Sequence, residues 1–340
     1  MGNVFIIGNG FDLDLGLPTK YSDFAKSKYW PAAPERKKTD GEQPKKDSGI
    51  VYYSVISDSS KLEEAIENAR SREMWFDLEK ELLDYSMQYE PKTPDFTRFS
   101  RESPNEVKSN VDYFNKLRDS LNDYILEVQK NQDIIEDCTA RDVLKAIVDN
   151  GYFESVYSFN YTDLNSIARR IGIAQGINYT HLHGNVLDNS IILGVDETKL
   201  RDGYESFHKS SSRYYRSHSL HNALVEADEI VVFGLSFGSI DYSYFNRFFK
   251  QISEEESVTN GKKQYITIFT KNDSSRLSII TSLRNMGIDI QRLYAQSHFQ
   301  IICTSDDGEK QELADFYLRL RQNSKEVFDE NLSYIAGIVH

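Results

Sequence analysis

The sequence predicts an α/β fold: a Rossmann-like, mainly parallel sheet with a large helical insertion after its first strand. Three observations carry that prediction. Short apolar runs rich in β-branched and aromatic residues alternate with helical periodicities, the pattern of successive βαβ units. Several of those runs end in glycine or polar residues, at Gly8-Asn9-Gly10, Asn160, His183-Gly184 and Gly234, as strands do when they feed a ligand-binding rim. Between Lys61 and Asn150 the strand pattern vanishes and helical spacing takes over.

The first strand is Val4-Phe5-Ile6-Ile7, which runs into Gly8-Asn9-Gly10-Phe11-Asp12. Glycines at such a turn let backbone N–H groups approach a phosphate or ribose, although the third glycine of the full dinucleotide fingerprint is replaced by Leu13. Gly16-Leu17-Pro18-Thr19 punctuates the chain before a helix that carries Phe24. From Lys26 to about Ser60, prolines among Arg36, Lys37, Lys38, Lys45 and Lys46 predict an exposed loop. The helical region follows. Trp75, Leu78, Leu82 and Tyr85 form one apolar stripe, and Val107, Val111, Phe114, Leu121, Ile125 and Val128 form another, which predicts two long antiparallel helices. Glu79 borders the first stripe, but its neighbours Asp77, Glu81 and Asp84 favour a solvated acidic face.

Ser155 to Gly184 reads as a complete βαβ unit. Ser155–Phe159 is a strand, Thr162 or Asp163 caps a helix bearing Leu164, Ile167, Ala168 and Ile171, and Asn178–Leu182 is a second strand. In a parallel sheet this sets Asn160 and His183 on one rim, beyond adjacent strand ends. Ser190–Gly194 reads as a further strand, and Lys199–Arg216, with Lys209, Arg213 and Arg216 among tyrosines, as a surface loop. Glu229–Leu235 is the most apolar strand and leads through Ser236, Gly238, Ser239 and Asp241 into a helix with Phe245, Phe248, Phe249 and Ile252 on one face. Strands at Gln264–Phe269 and Phe299–Cys303, a helix around Arg276–Met286 and a last helix after Asp307 complete the chain. The organisation expected is therefore residues 1–25 as first strand and glycine loop, 26–150 as helical insertion, and 151–340 as the remainder of the sheet domain.

Composition narrows the function. A formal charge of -13 over 340 residues opposes non-specific attraction to nucleic acid or an anionic membrane. The two cysteines, Cys138 and Cys303, cannot form a four-cysteine zinc site or a disulfide framework. With no apolar run near the ~20 residues of a membrane span, a cytoplasmic protein without metal is expected.

Four segments in order along the chain carry a family resemblance: Ile6–Leu13 with Gly16–Thr19, Phe159–Thr162, His183-Gly184-Asn185, and Gly234-Leu235-Ser236 with Asp241. Together they resemble the AbiH-type bacteriophage abortive-infection proteins, a family that looks like a remote branch of the sirtuin-like NAD-binding fold. The resemblance implies that Gly8, Asn9, Gly10, Phe11, Asp12, Pro18, Gly184, Gly234, Ser236 and Asp241 contact NAD. It further implies that Asn160 orients the nicotinamide ribose and that His183 acts as base. The sirtuin aspartate-phenylalanine-arginine segment is Thr19-Lys20-Tyr21 here and the zinc-ribbon cysteines are absent, which removes the support for an acyl-lysine substrate. NAD hydrolysis to nicotinamide and ADP-ribose is then the expected activity. It would be held silent by a homo-oligomer or by a lid from the helical insertion until a phage-derived trigger appears. A non-catalytic sensor of NAD or ADP-ribose, and an ADP-ribosyltransferase, are the alternatives.

Overall fold

The computed structural model describes residues 2–31, 60–72, 77–87, 102–151, 153–174, 176–196, 199–215, 218–254, 263–305 and 309–322. The exposed loop expected over Lys26–Ser60 falls almost wholly outside these, as do Trp75 and Arg216.

Chain order begins with β1 (Gly2–Ile7), α1 (Asn9–Asp14) and α2 (Tyr21–Phe24), followed by the insertion helices α3 (Lys61–Arg72), α4 (Leu78–Ser86), α5 (Pro104–Asn131) and α6 (Thr139–Asn150). The central unit follows as β2 (Ser155–Ser158), α7 (Leu164–Arg170) and β3 (Thr180–His181). The remainder is α8 (His218–Glu226), β4 (Ala227–Phe233), α9 (Tyr242–Glu254), β5 (Tyr265–Thr270), α10 (Asp273–Asn285), α11 (Ile290–Gln296), β6 (His298–Cys303) and α12 over residues 310–322. All six strands are parallel, in the order β3-β2-β1-β4-β5-β6. That is the Rossmann order, with its switch point between β1 and β4.

Period-2 alternation splits the strands between two cores. Phe5 and Ile7 of β1, Val231 and Phe233 of β4, Phe269 of β5 and Ile302 of β6 face the insertion helices and α12. Val4, Ile6, Ile230, Val232, Ile266, Ile268, Phe299 and Ile301 face α8 to α11. Burial on both faces explains why these strands read as continuous apolar runs.

Among the described residues the insertion holds four helices where the stripes suggested two. Only α5 is long, at 28 residues, and its start is fixed by a capping box between Ser103 and Glu106 with Pro104 at the first turn. Its buried stripe of Phe114, Leu117, Leu121, Ile125 and Val128 packs in the same core as β1, and the Tyr124 hydroxyl donates to the Pro18 carbonyl at 2.6 Å. The helix α7 is capped by Asp163, which accepts from the Ser166 N–H at 2.7 Å.

Two strand expectations are corrected. The second strand of the central unit shrinks to Thr180–His181. Ser190–Gly194 is not a strand: Gly184, at φ +77, turns the chain so that the Ile192 N–H bonds back to the His183 carbonyl at 2.8 Å. Its apolar residues Ile191, Ile192 and Leu193 are buried as a packed loop. Among the described residues no helix is long and apolar enough to cross a membrane.

Candidate active site

The site grows from the carboxyl ends of β1, β2, β3 and β4. At the switch point the turns after β1 and β4 are bonded to each other, Gly8 N–H to the Phe233 carbonyl at 2.9 Å and Gly10 N–H to the Gly234 carbonyl at 2.7 Å. A Cβ on Gly10 would lie 2.5 Å from the Gly234 Cα, and Gly234 itself sits at φ +71. Here the missing side chains accommodate neighbouring backbone. This contact forms the floor of the rim.

Two polar groups stand on that floor. The first joins α1 to the turn after β2. Asp12 is 1% exposed, and its Oδ2 accepts from the Thr162 hydroxyl at 2.9 Å while Oδ1 has no hydrogen-bond partner. Burial pushes its carboxyl up to about 7, against the opposing pull of Thr162 and Asn160. Asn160 is 6% exposed, and its peptide N–H is held by the Ser158 hydroxyl at 3.2 Å. Its side chain lies near enough to Asp12 to favour the carboxylate, yet neither amide atom reaches hydrogen-bonding geometry with a described residue. An unpaired buried amide costs about 1–3 kcal/mol.

The second group is a buried charge cluster. Lys209, whose side chain has no solvent exposure, places Nζ 3.3 Å from Glu79 Oε1, 3.3 Å from His183 Nε2 and 3.9 Å from Asp241 Oδ1. His183 Nε2 lies 3.7 Å from the same Asp241 oxygen. Local chain geometry explains how four distant residues meet. Gly184 reverses the chain after His183, and residues near Val195 then pair with the segment near His208, with Lys209 N–H donating to the Val195 carbonyl at 2.8 Å. Glu79 enters from the first turn of α4, capped by Asp77, and accepts from the Gly194 N–H at 3.4 Å. Asp241 ends the short turn after Phe237, a non-glycine residue at φ 52.

Burial pushes Glu79 up to about 7 despite the attraction of Lys209, and it raises Asp241 as well. For Lys209 burial acts downward, but Glu79 and Asp241 outweigh it and its ammonium is held above the usual range. His183 is driven well below its ordinary value, first by burial and then by Lys209. The rings of Phe159 and Tyr244 pack against His183, with centroids 5.1 and 5.9 Å away. Tyr161, next to Asn160, bridges the two groups: its hydroxyl lies 3.1 Å from that of Tyr21, and burial together with Glu79 raises both phenols well above 10.

The structure thus brings Asp12 and Asn160 together and His183 and Asp241 together, around the contact of Gly8, Gly10 and Gly234. Gly184 serves as the turn behind His183, where a Cβ would lie 1.9 Å from the Ser190 carbonyl. Phe11 is in the core, edge-on to Phe233 at 5.6 Å, and Asn9 accepts from the Thr19 hydroxyl. Pro18 ties the loop to α5, and Ser236 is exposed. Two expectations are overturned. Glu79 is not on a solvated face, because its position beside Leu78 and three before Leu82 sets it at the buried seam of α4. Nor does Lys209 lie on a surface loop, since its segment is drawn inward by Tyr204 and Phe207, both fully buried.

A parallel α/β protein of Rossmann order, with a buried acid, an unpaired amide and a lysine-centred cluster on its carboxyl rim, is the class these features define. Residues 4–260 match the bacteriophage abortive infection AbiH family, and the chain belongs to it. No curated protein matches the chain.

Proposed function

We propose that this chain acts in abortive infection as an NAD glycohydrolase, releasing nicotinamide and ADP-ribose. The observation that carries the reading is the unpaired Asn160 amide beside the unpaired Oδ1 of Asp12, on the rim where Rossmann-type sheets receive dinucleotides. The sirtuin-like resemblance of the glycine and asparagine motifs supports NAD as the dinucleotide.

The chemistry needs little. Nicotinamide leaves NAD as a neutral molecule, taking the electron pair of the C–N glycosidic bond, so no acid is required for its departure. Asn160 can hold a ribose hydroxyl and a water together. A carboxyl that titrates near pH 7 is suited to accept the proton the water loses as its oxygen bonds to the anomeric carbon, and Asp12 has that property. The cell must be spared before infection, which calls for access control by the helical insertion or by self-association, released by a phage-derived trigger in the cytoplasm.

The test is release of free nicotinamide from NAD by purified protein, together with cellular NAD after phage challenge. Turnover in either setting, lost in Asn160→Ala, supports the reading. Constant NAD in both sinks it. One observation favours a second reading, a sensor of NAD or ADP-ribose: the His183 imidazole is engaged inside the protein, at 3.3 Å from Lys209. Saturable calorimetric binding of NAD without turnover after challenge would support that sensor. Labelled NAD that leaves its label on a macromolecule would indicate ADP-ribosyl transfer instead.

A further inference from the structure

We propose that Lys209 is a positioning residue that holds His183 as the neutral imidazole with its proton on Nδ1, so that His183 serves the site as a hydrogen-bond donor and not as a base. The second half rests on the hydrolase reading above; the first half stands on geometry alone.

An ammonium has three donors and no acceptor. With Lys209 Nζ at 3.3 Å, the Nε2 of His183 can only accept, so the single proton of a neutral ring must sit on Nδ1. The opposite tautomer would aim an N–H at a buried cation. The carboxylate oxygen that faces it, Asp241 Oδ1, is 3.7 Å away and outside hydrogen-bonding reach. An imidazolium would add a second positive charge next to the first. Lys209 stays charged because Glu79 Oε1 at 3.3 Å and Asp241 Oδ1 at 3.9 Å flank it. The groups facing His183 from the surrounding elements are Lys209, Asp241, Tyr161 and Tyr244, with Glu79 behind Lys209. Among these Lys209 is the one within hydrogen-bonding distance of the ring. A residue fixed in this way cannot also collect a proton from water through Nε2. The proton therefore goes to the carboxyl of Asp12, and His183 contributes an Nδ1–H that can bind an oxygen of the ligand.

Nitrogen-15 NMR of histidine-labelled full-length protein reads the tautomer directly, with His183 assigned by loss of its signals in His183→Asn. The expected wild-type result is a neutral ring with a bare Nε2 and a protonated Nδ1 from pH 5 to pH 8. In Lys209→Met/Glu79→Gln, which removes the ammonium together with its closest carboxyl partner, Asp241 becomes the ionisable partner left beside His183. The midpoint of His183 should then rise by about one pH unit or more. A wild-type ring that is cationic at pH 7 or protonated on Nε2 overturns the proposal, and so does a folded double variant whose His183 titrates as before. The wild-type spectrum needs only the His183→Asn assignment, so a double variant that fails to fold leaves the test intact. Nicotinamide release is scored separately: the expected tautomer without turnover removes the hydrolase reading alone, and turnover with Nε2–H removes the positioning role alone.

Discussion

Replacing Asp12 by asparagine should make the protein more stable at high pH while abolishing the activity proposed for it. Asp12 is fully buried, and its carboxyl moves from 3.8 to about 7 on folding. A folded-state value above the unfolded one means that the group's share of stability is complete below pH 3.8 and lost as pH rises through about 7. At about 1.4 kcal/mol per unit, a shift of about 3 units corresponds to as much as about 4 kcal/mol lost between pH 4 and pH 8. Asparagine cannot ionise, so it avoids that loss. Its carbonyl can still accept from Thr162, and its NH2 can face the unpaired Asn160. Urea denaturation across pH 4 to 8 measures the difference between variant and wild type. Glu79, also raised to about 7, and His183, held low, contribute slopes to both proteins and cancel in that difference. The gap should widen in favour of Asp12→Asn up to about pH 7 and level off above it, while nicotinamide release falls by roughly a hundredfold or more. Parallel stability curves for the two proteins would refute the buried carboxyl, and full turnover in the variant would refute its role as proton acceptor.

Other substitutions separate the site from its scaffold. Asn160→Ala removes two unpaired buried atoms, so its melting temperature should equal or slightly exceed that of wild type while NAD turnover disappears; a clear loss of stability would mean that the amide supports the fold. Phe233→Ala deletes a ring packed between Phe11 and Phe269 and should cost about 3–5 kcal/mol in a denaturant titration, with activity falling in step with folded protein. Gly10→Ala drives a methyl to 2.5 Å from the Gly234 backbone, where no side chain can yield, and should cost about 1–3 kcal/mol; an unchanged urea midpoint would show that the two turns are not in contact.

The sheet was legible in the sequence because burial on both faces leaves continuous apolar runs, as at Val4–Ile7 and Ile230–Phe233, each bounded by a glycine turn. Ser190–Gly194 deceived for the same reason. Its three apolar residues are buried, but in a loop, and a run of five cannot distinguish the two outcomes. The first polar group was half legible: Asn160 stood out at a strand end, whereas Asp12 gained its proton affinity only from burial that no local pattern records. Lys209 was hidden more completely. Its charge is compensated by Glu79, 130 positions earlier, and Asp241, 32 later, and neither spacing corresponds to any local periodicity. Buried ion pairs formed across such separations leave no sequence signal except an acidic residue on the seam of an apolar stripe, which is where Glu79 lies.

The rim gathers four unpaired buried polar atoms on three residues, Asp12, Asn160 and Asp241. Elsewhere among the described residues the picture is mixed: Tyr113, Asn122 and Tyr317 also leave a buried polar atom without a partner, whereas other clusters are closed. Asn110 donates to the Tyr204 and Tyr85 hydroxyls and accepts from the Leu62 N–H, and Gln264 donates to carbonyls at the end of α8. At the rim Asp12 Oδ1, both amide atoms of Asn160 and Asp241 Oδ1 lack hydrogen-bond partners. They are tolerated because the backbone beneath them is over-determined: β1 is paired on both sides, and its turn is bonded to that of β4. The family match over 4–260 takes in all of these residues and stops short of β5 and β6. Those two strands extend the sheet beyond β4, away from β2 and β3, and supply none of the charged groups of the rim. The charged and unpaired groups of the rim therefore all belong to the part of the chain that the family match covers.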